Sequence, residues 1–320
     1  MSAAAKRPSR AKPAAAARPA AARPTAPPGG PASAVMAAVA AERVAANRRA
    51  RRLLGGAPTL VLGVLGLLVG LVGGTAGMVA GALLGIALGG ALAAAAPSLG
   101  ARVVLRRVGA EAVDPEREPR YANLVDGLSE TAGIPPPRLY VAPHDAANAL
   151  VVSAGPADAA VVVTRGLLRT LNRVELEGVL AHELCHVRDQ DALTGTARVV
   201  LGGLPGLLWQ AHRDGPGPLL AAAAVLTLPA APLRRLAAPP RRELEADEAG
   251  AYLTRYPPGL ASALAKLGQL SSGGEALDKP GLNHLWLVAP HEPGSGSWWQ
   301  RLYQGTHPPL QERIEALREL

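Results

Sequence analysis

At 320 residues and 49% hydrophobic content, the chain is long enough for one or two packed domains and sits at the apolar end of what a soluble protein carries. A single cysteine, Cys185, excludes an internal disulfide and fits a reducing compartment, and with no Phe present aromatic packing rests on four Trp and five Tyr. The net charge of +8 is not shared out: residues 1–52 hold eleven Lys or Arg against one acid, Glu42, which leaves the remainder at −2.

The first residues are Ala, Pro and Gly with scattered Lys or Arg, a composition that buries too little surface to fold, and residues 1–52 are expected to be a disordered basic tail. They do not make a cleavable signal peptide, because the apolar stretch starts too late and runs too long. From Leu53 to Ala101 there are 49 residues without a charge. About 20 apolar residues cross a bilayer, so residues 53–101 are expected to form a transmembrane hairpin with spans near 57–73 and 76–96 and a turn at Gly73-Gly74-Thr75. Arg48, Arg49, Arg51 and Arg52 flank it on one side and Arg102, Arg106 and Arg107 on the other, which places both ends in the cytoplasm by the positive-inside rule. The basic tail then has the lipid bilayer as its nearest partner, and no nucleic-acid partner is expected.

Residues 102–320 read as an α+β, mainly helical domain. A helix over Glu118–Ala132 ends at Gly133 and is followed by Pro135-Pro136-Pro137. Strands over Arg138–Ala142, Ala149–Ser153 and Ala159–Thr164, separated by turn residues, predict a small antiparallel sheet. Helices over Arg165–Leu171 and from Val174 to about Asp191 come next. Residues 199–233 turn apolar again but contain Pro205, Pro229 and Pro232, so this insert is either a second membrane hairpin or a re-entrant one.

The chemistry is concentrated in His182-Glu183-Leu184-Cys185-His186. Two histidines four apart point the same way on a helix and offer two nitrogen ligands to zinc, while Glu183 is placed as the base for a water on the metal. A catalytic zinc takes a third protein ligand, and Glu243 in Arg242-Glu243-Leu244-Glu245-Ala246-Asp247 is the best candidate. Asp247, four residues on, shares its face and can accept the second N–H of a ligating histidine. Glu245 and Glu248 point elsewhere. Cys185 reads as a small packed residue rather than a ligand. Asn148-Ala149 opens an apolar strand whose edge could take an extended substrate by backbone pairing. His307 is a candidate for oxyanion support or a reversible extra ligand, or else simply starts the last helix. His144, His212, His284 and His291 have no partner at ligand spacing.

His-Glu-Leu-Cys-His followed by Glu-Leu-Glu-Ala-Asp resembles the HtpX-type membrane zinc metallopeptidases, gluzincins related to the CAAX-processing proteases. The resemblance spans roughly residues 53–320 and includes the apolar pair, Gly133-Ile134-Pro135-Pro136-Pro137-Arg138-Leu139-Tyr140-Val141, Asn148-Ala149, the apolar insert, Leu282–Pro290, and Thr306-His307-Pro308-Pro309 with Arg313-Ile314. The long tail lies outside the family core, and the insert is shorter and richer in proline than two clean spans. The resemblance implies a gluzincin domain with one Zn2+ per chain, in the cell membrane with its cleft toward the cytoplasm. It also implies a metalloendopeptidase that cuts misfolded membrane or cytoplasmic proteins under stress. A maturation peptidase for one dedicated substrate, such as a lipid-modified tail, is the alternative, and a catalytically silent scaffold has no need of Glu183.

Overall fold

A computed structural model describes residues 31–202, 241–270, 277, 281–290 and 307–320. The described residues from 39 onward belong to one compact unit, and residues 31–38 are helical. Helix α1 runs Pro31–Gly70 and α2 runs Gly74–Arg107, with a single 3-10 turn at Leu71–Gly73 between them. The expected disorder through residue 52 is therefore corrected from residue 31 onward: Ala-rich sequence with spaced arginines is good helix-forming material, and it continues into the apolar run without a break.

The apolar run folds back on itself. A Cβ at Gly66 would lie 2.0 Å from the carbonyl oxygen of Gly81, and one at Gly70 2.1 Å from that of Gly77, so α1 and α2 touch backbone to backbone as antiparallel partners. Small residues at the contact are what permit this approach. The outward side chains meet no protein: Leu60, Leu83 and Val72 are exposed, Val72 at 97%. Ala38–Arg107 taken together is long and apolar enough to cross a membrane.

Beyond it come β1 (Glu111–Ala112), α3 (Pro119–Ala132), β2 (Arg138–Ala142), β3 (Ala149–Gly155), β4 (Asp158–Thr164), α4 (Arg165–Thr170), α5 (Arg173–Arg188) and α6 (Asp191–Leu201). After the insert follow α7 (Arg241–Thr254), α8 (Pro257–Leu270) and α9 (Leu310–Arg318). The sheet order is β1-β2-β4-β3, and it is mixed rather than antiparallel: β1/β2 and β3/β4 are antiparallel, but β2/β4 is parallel. The cause is topological. β3 and β4 form a tight hairpin closing at Gly155 and Asp158, while the longer 143–148 connection carries β3 past β2 so that β4 slots between them.

β3 and β4 are apolar at nearly every position because both sheet faces are covered. Val151, Val161 and Val163 join α3, α5 and α8 in the main core. Leu150, Val152 and Val162 face Val104 and Val108 around the end of α2. The single helix expected to reach Asp191 is in fact two. α5 stops at Arg188, Gln190 takes a left-handed backbone with φ 59°, and α6 begins at Asp191. α6 packs against the base of the hairpin, with Ala197 and Leu201 buried beside Leu54 and Ala96. The beginning of the apolar insert, through Leu201, thus packs on the hairpin, and 203–233 lies outside the described residues.

Candidate metal centre and active site

α5 is started by a reciprocal cap in which Asn172 Oδ1 accepts from Glu175 N–H and Glu175 Oε2 accepts from Asn172 N–H, both at 3.0 Å. From that fixed origin, His182 and His186 fall one turn apart on the buried side, 0% and 7% exposed. α7 crosses α5 at Gly250, where a Cβ would lie 2.9 Å from His182 N. The missing side chain lets α7 approach, which carries Glu243 and Asp247, on the same face as Gly250, up to the histidines.

Three ligand-type atoms converge. His182 Nε2 and His186 Nε2 are 3.0 Å apart, and Glu243 Oε2 lies 3.6 Å from the first and 3.9 Å from the second. Atoms 2.0–2.1 Å from a tetrahedral zinc would stand about 3.3–3.4 Å from each other, so the observed set brackets that spacing. Each histidine has its own carboxylate on the other ring nitrogen: His186 Nδ1 is 2.8 Å from Asp191 Oδ2, and His182 Nδ1 is 2.8 Å from Asp247 Oδ1, the latter off the ideal hydrogen-bond line. Such pairs fix which nitrogen faces the metal and make it a better donor. The donor set and its supports therefore fit a zinc ion.

The electrostatics separate the two glutamates. Burial pushes Glu183 up to about 7, against the pull of His182 and His186, and its Oε1 is buried without a hydrogen-bond partner. Burial would raise Glu243 too, but His307, His182, His186 and Arg242 hold it well below the usual carboxylate range. Burial would lower His182, yet Asp247 outweighs it and raises the imidazole to about 9 in the metal-free site.

A family model described as peptidase family M48 matches residues 115–320. The chain is 37% identical over 231 residues to a protease HtpX homolog of Desulfatibacillum aliphaticivorans, covering 68% of this chain and 73% of that one. It is likewise 37% identical over 234 residues to one of Thermococcus kodakarensis (68% and 79%) and 36% over 233 residues to one of Acidiphilium cryptum (68% and 80%). The chain belongs to peptidase family M48.

As an HtpX-type M48 protease it brings together five of the residues singled out from the sequence, His182, Glu183, His186, Glu243 and Asp247. His307 is also near: its charge acts on Glu243, while its Nε2–H donates to the Trp286 carbonyl at 2.8 Å and burial lowers it to about 4. Asn148 and Ala149 are placed differently from the expected substrate edge. Asn148 is buried, its Nδ2 donates to Val288 O at 2.8 Å, its Oδ1 accepts from Val288 N–H, and Ala149 O accepts from Leu287 N–H at 2.9 Å. β3 is indeed an outer strand, but Trp286–Val288 already runs along its first residues, so those backbone groups are taken.

Two residues of this M48 site were given no role by sequence reasoning, although Arg313 lies in a stretch that carries the resemblance. Arg313 is 1% exposed and grips Asp247 with two bonds, Nε to Oδ2 at 2.7 Å and Nη2 to Oδ1 at 2.8 Å, while Nη1 donates to Leu287 O at 2.7 Å. A buried guanidinium needs such partners, and its isolation in the sequence hid them. Asp191 was missed because it was read as the last residue of a helix rather than the first of the next. Cys185 packs on Ala246 and Ala249, with its thiol raised to about 12 by burial, and His284 is buried with Nε2–H on Gly195 O at 2.9 Å; neither is a ligand.

Proposed function

We propose that this protein is a zinc metalloendopeptidase of the cell membrane, with one Zn2+ held by His182, His186 and Glu243. The observation that carries the reading is the convergence of those three buried groups beside Glu183, whose Oε1 has no partner and whose pKa stands near neutrality. When bound, zinc supplies Lewis acidity, which acidifies water and polarises a carbonyl. Glu183 takes the proton from the attacking water and hands it to the leaving amine, a shuttle for which a pKa near 7 is well matched. The cavity bounded by Glu183, Glu243 and Val151 holds about 10 Å³, room for roughly one water. Asp191 and Asp247 orient the histidines, and Arg313 holds Asp247 ionised. With its Nε2–H held by the Trp286 carbonyl and its pKa at about 4, His307 has only an unprotonated Nδ1 to offer, which suits a reversible extra ligand rather than oxyanion support.

The substrates are unfolded segments of misfolded membrane or cytoplasmic proteins. A peptide reaches this buried centre only after Leu285–Leu287 shifts from its place beside β3, and backbone pairing in that slot reads little side-chain identity. The hairpin crosses the membrane twice, with the site and the N-terminal tail on the cytoplasmic side, as the arginines at both ends of the apolar run support. Purified protein in detergent is expected to cleave casein and several unrelated unfolded chains at many positions. Cleavage confined to one peptide would replace this reading with that of a dedicated maturation peptidase.

A further inference from the structure

We infer that Arg43, on the charged extension of α1 before the apolar run, is a positioning residue for the metal centre, clamping the helix of His182 and His186 to the helix of Glu243. The inference rests on the metal-site reading above. Arg43 Nη1 lies 3.3 Å from Asp189 Oδ2 and donates to Glu245 O at 3.3 Å, while its Nε is 3.5 Å from Glu245 Oε2. One turn later, Asn47 Nδ2 donates to Asp189 O at 3.0 Å and Asn47 O accepts from Thr194 Oγ1 at 3.3 Å. A single stretch of α1 therefore reaches the end of α5, the first turn of α6 and the first turns of α7.

The places it touches are next to the ligands. Asp189 is three residues after His186 and two before Asp191, and Glu245 is two after Glu243. Between α5 and α7 on this side lie Cys185, Ala246 and Ala249, small side chains that offer little area to fix the crossing. The widest of the three ligand separations, 3.9 Å between His186 Nε2 and Glu243 Oε2, joins the two residues nearest the clamp. Arg43 is only 19% exposed and Asp189 8%, so their attraction is far less screened than a surface pair, whereas Glu245 at 39% contributes mainly through its carbonyl. A planar guanidinium meets the two partners with separate nitrogens in a fixed fork, whereas an ammonium must reach both from one nitrogen on a flexible stem. Because the same helix enters the apolar run ten residues later, the clamp ties the geometry of the centre to the membrane segment.

The test uses the full-length protein in detergent and measures zinc release to a competing chelator for the parent, Arg43→Ala, Arg43→Lys and, as a control, Arg117→Ala at the exposed Asp114 pair. Substituting a ligand's own hydrogen-bond partner costs about 10- to 100-fold in affinity, and one layer further out the expected loss is about 3- to 10-fold for Arg43→Ala, roughly half of it restored by lysine, with the control unchanged. If Arg43→Ala does not fold, Arg43→Lys and Asn47→Ala carry the test, each with faster zinc release than the parent. A parent that holds zinc and variants that release it at the same rate, with only thermal stability lowered, would overturn the clamp alone. A parent that holds no zinc would overturn the metal-site reading and the clamp with it.

Discussion

Glu183 and Glu243 are buried carboxylates in one small site, and their surroundings divide the work between them. Glu243, ringed by cationic groups, stays ionised and suits a ligand; Glu183, held near 7, suits a proton carrier. Glu183→Gln should keep its zinc and lose roughly 10²- to 10⁴-fold in cleavage rate, read by metal analysis beside a turnover assay. Asp247→Asn and Asp191→Asn should each weaken zinc binding about 10- to 100-fold with the fold intact, which circular dichroism and chelator competition would report. pH acts through the same pairs. His182, raised to about 9 in the metal-free protein, lends stability that is complete below its unfolded value and lost as pH rises through about 9. Zinc must displace that proton, so apparent affinity should climb by up to about tenfold per unit between pH 6 and 9. A flat profile in calorimetry would contradict it.

The ligand motif was legible because helical spacing alone brings residues four apart onto one face, and that held for His182 with His186 and for Glu243 with Asp247. What spacing could not show was which helices meet. Arg313 is 66 positions from Asp247, and Asp191 reaches His186 only because the backbone reverses at Gln190. Strand limits were read nearly to the residue, but strand order was not, since nothing local says that β4 will enter between β2 and β3. Gln190 in a left-handed conformation costs about 1 kcal/mol. Gln190→Gly should leave thermal stability equal or higher, and β-branched Gln190→Val should lower it by about 1–2 kcal/mol and loosen zinc, since Asp191 would shift. Gly250→Val should be harsher: its Cβ would collide with the backbone of His182, α7 would move off α5, and zinc would be lost.

The hairpin and the catalytic unit are continuous in packing, because α6 lies on α2 and α2 also covers one face of the sheet. Removing residues 53–101 would therefore strip a wall from the core as well as the apolar surface, and the shortened chain should aggregate rather than remain a soluble protease. The apolar composition and missing charges of that stretch were plain in the sequence; its mating to α6 depends on side-chain fit that no pattern records. All of this converges on one ion and one base. Zinc content and casein cleavage measured together, on full-length parent and Glu183→Gln, before and after stripping with a chelator and reloading, test that pair. One zinc per chain in both, with cleavage in the parent alone, lost on stripping and restored by zinc, is the expected result. Cleavage by Glu183→Gln at the parent's rate, or full activity in stripped protein, would contradict it.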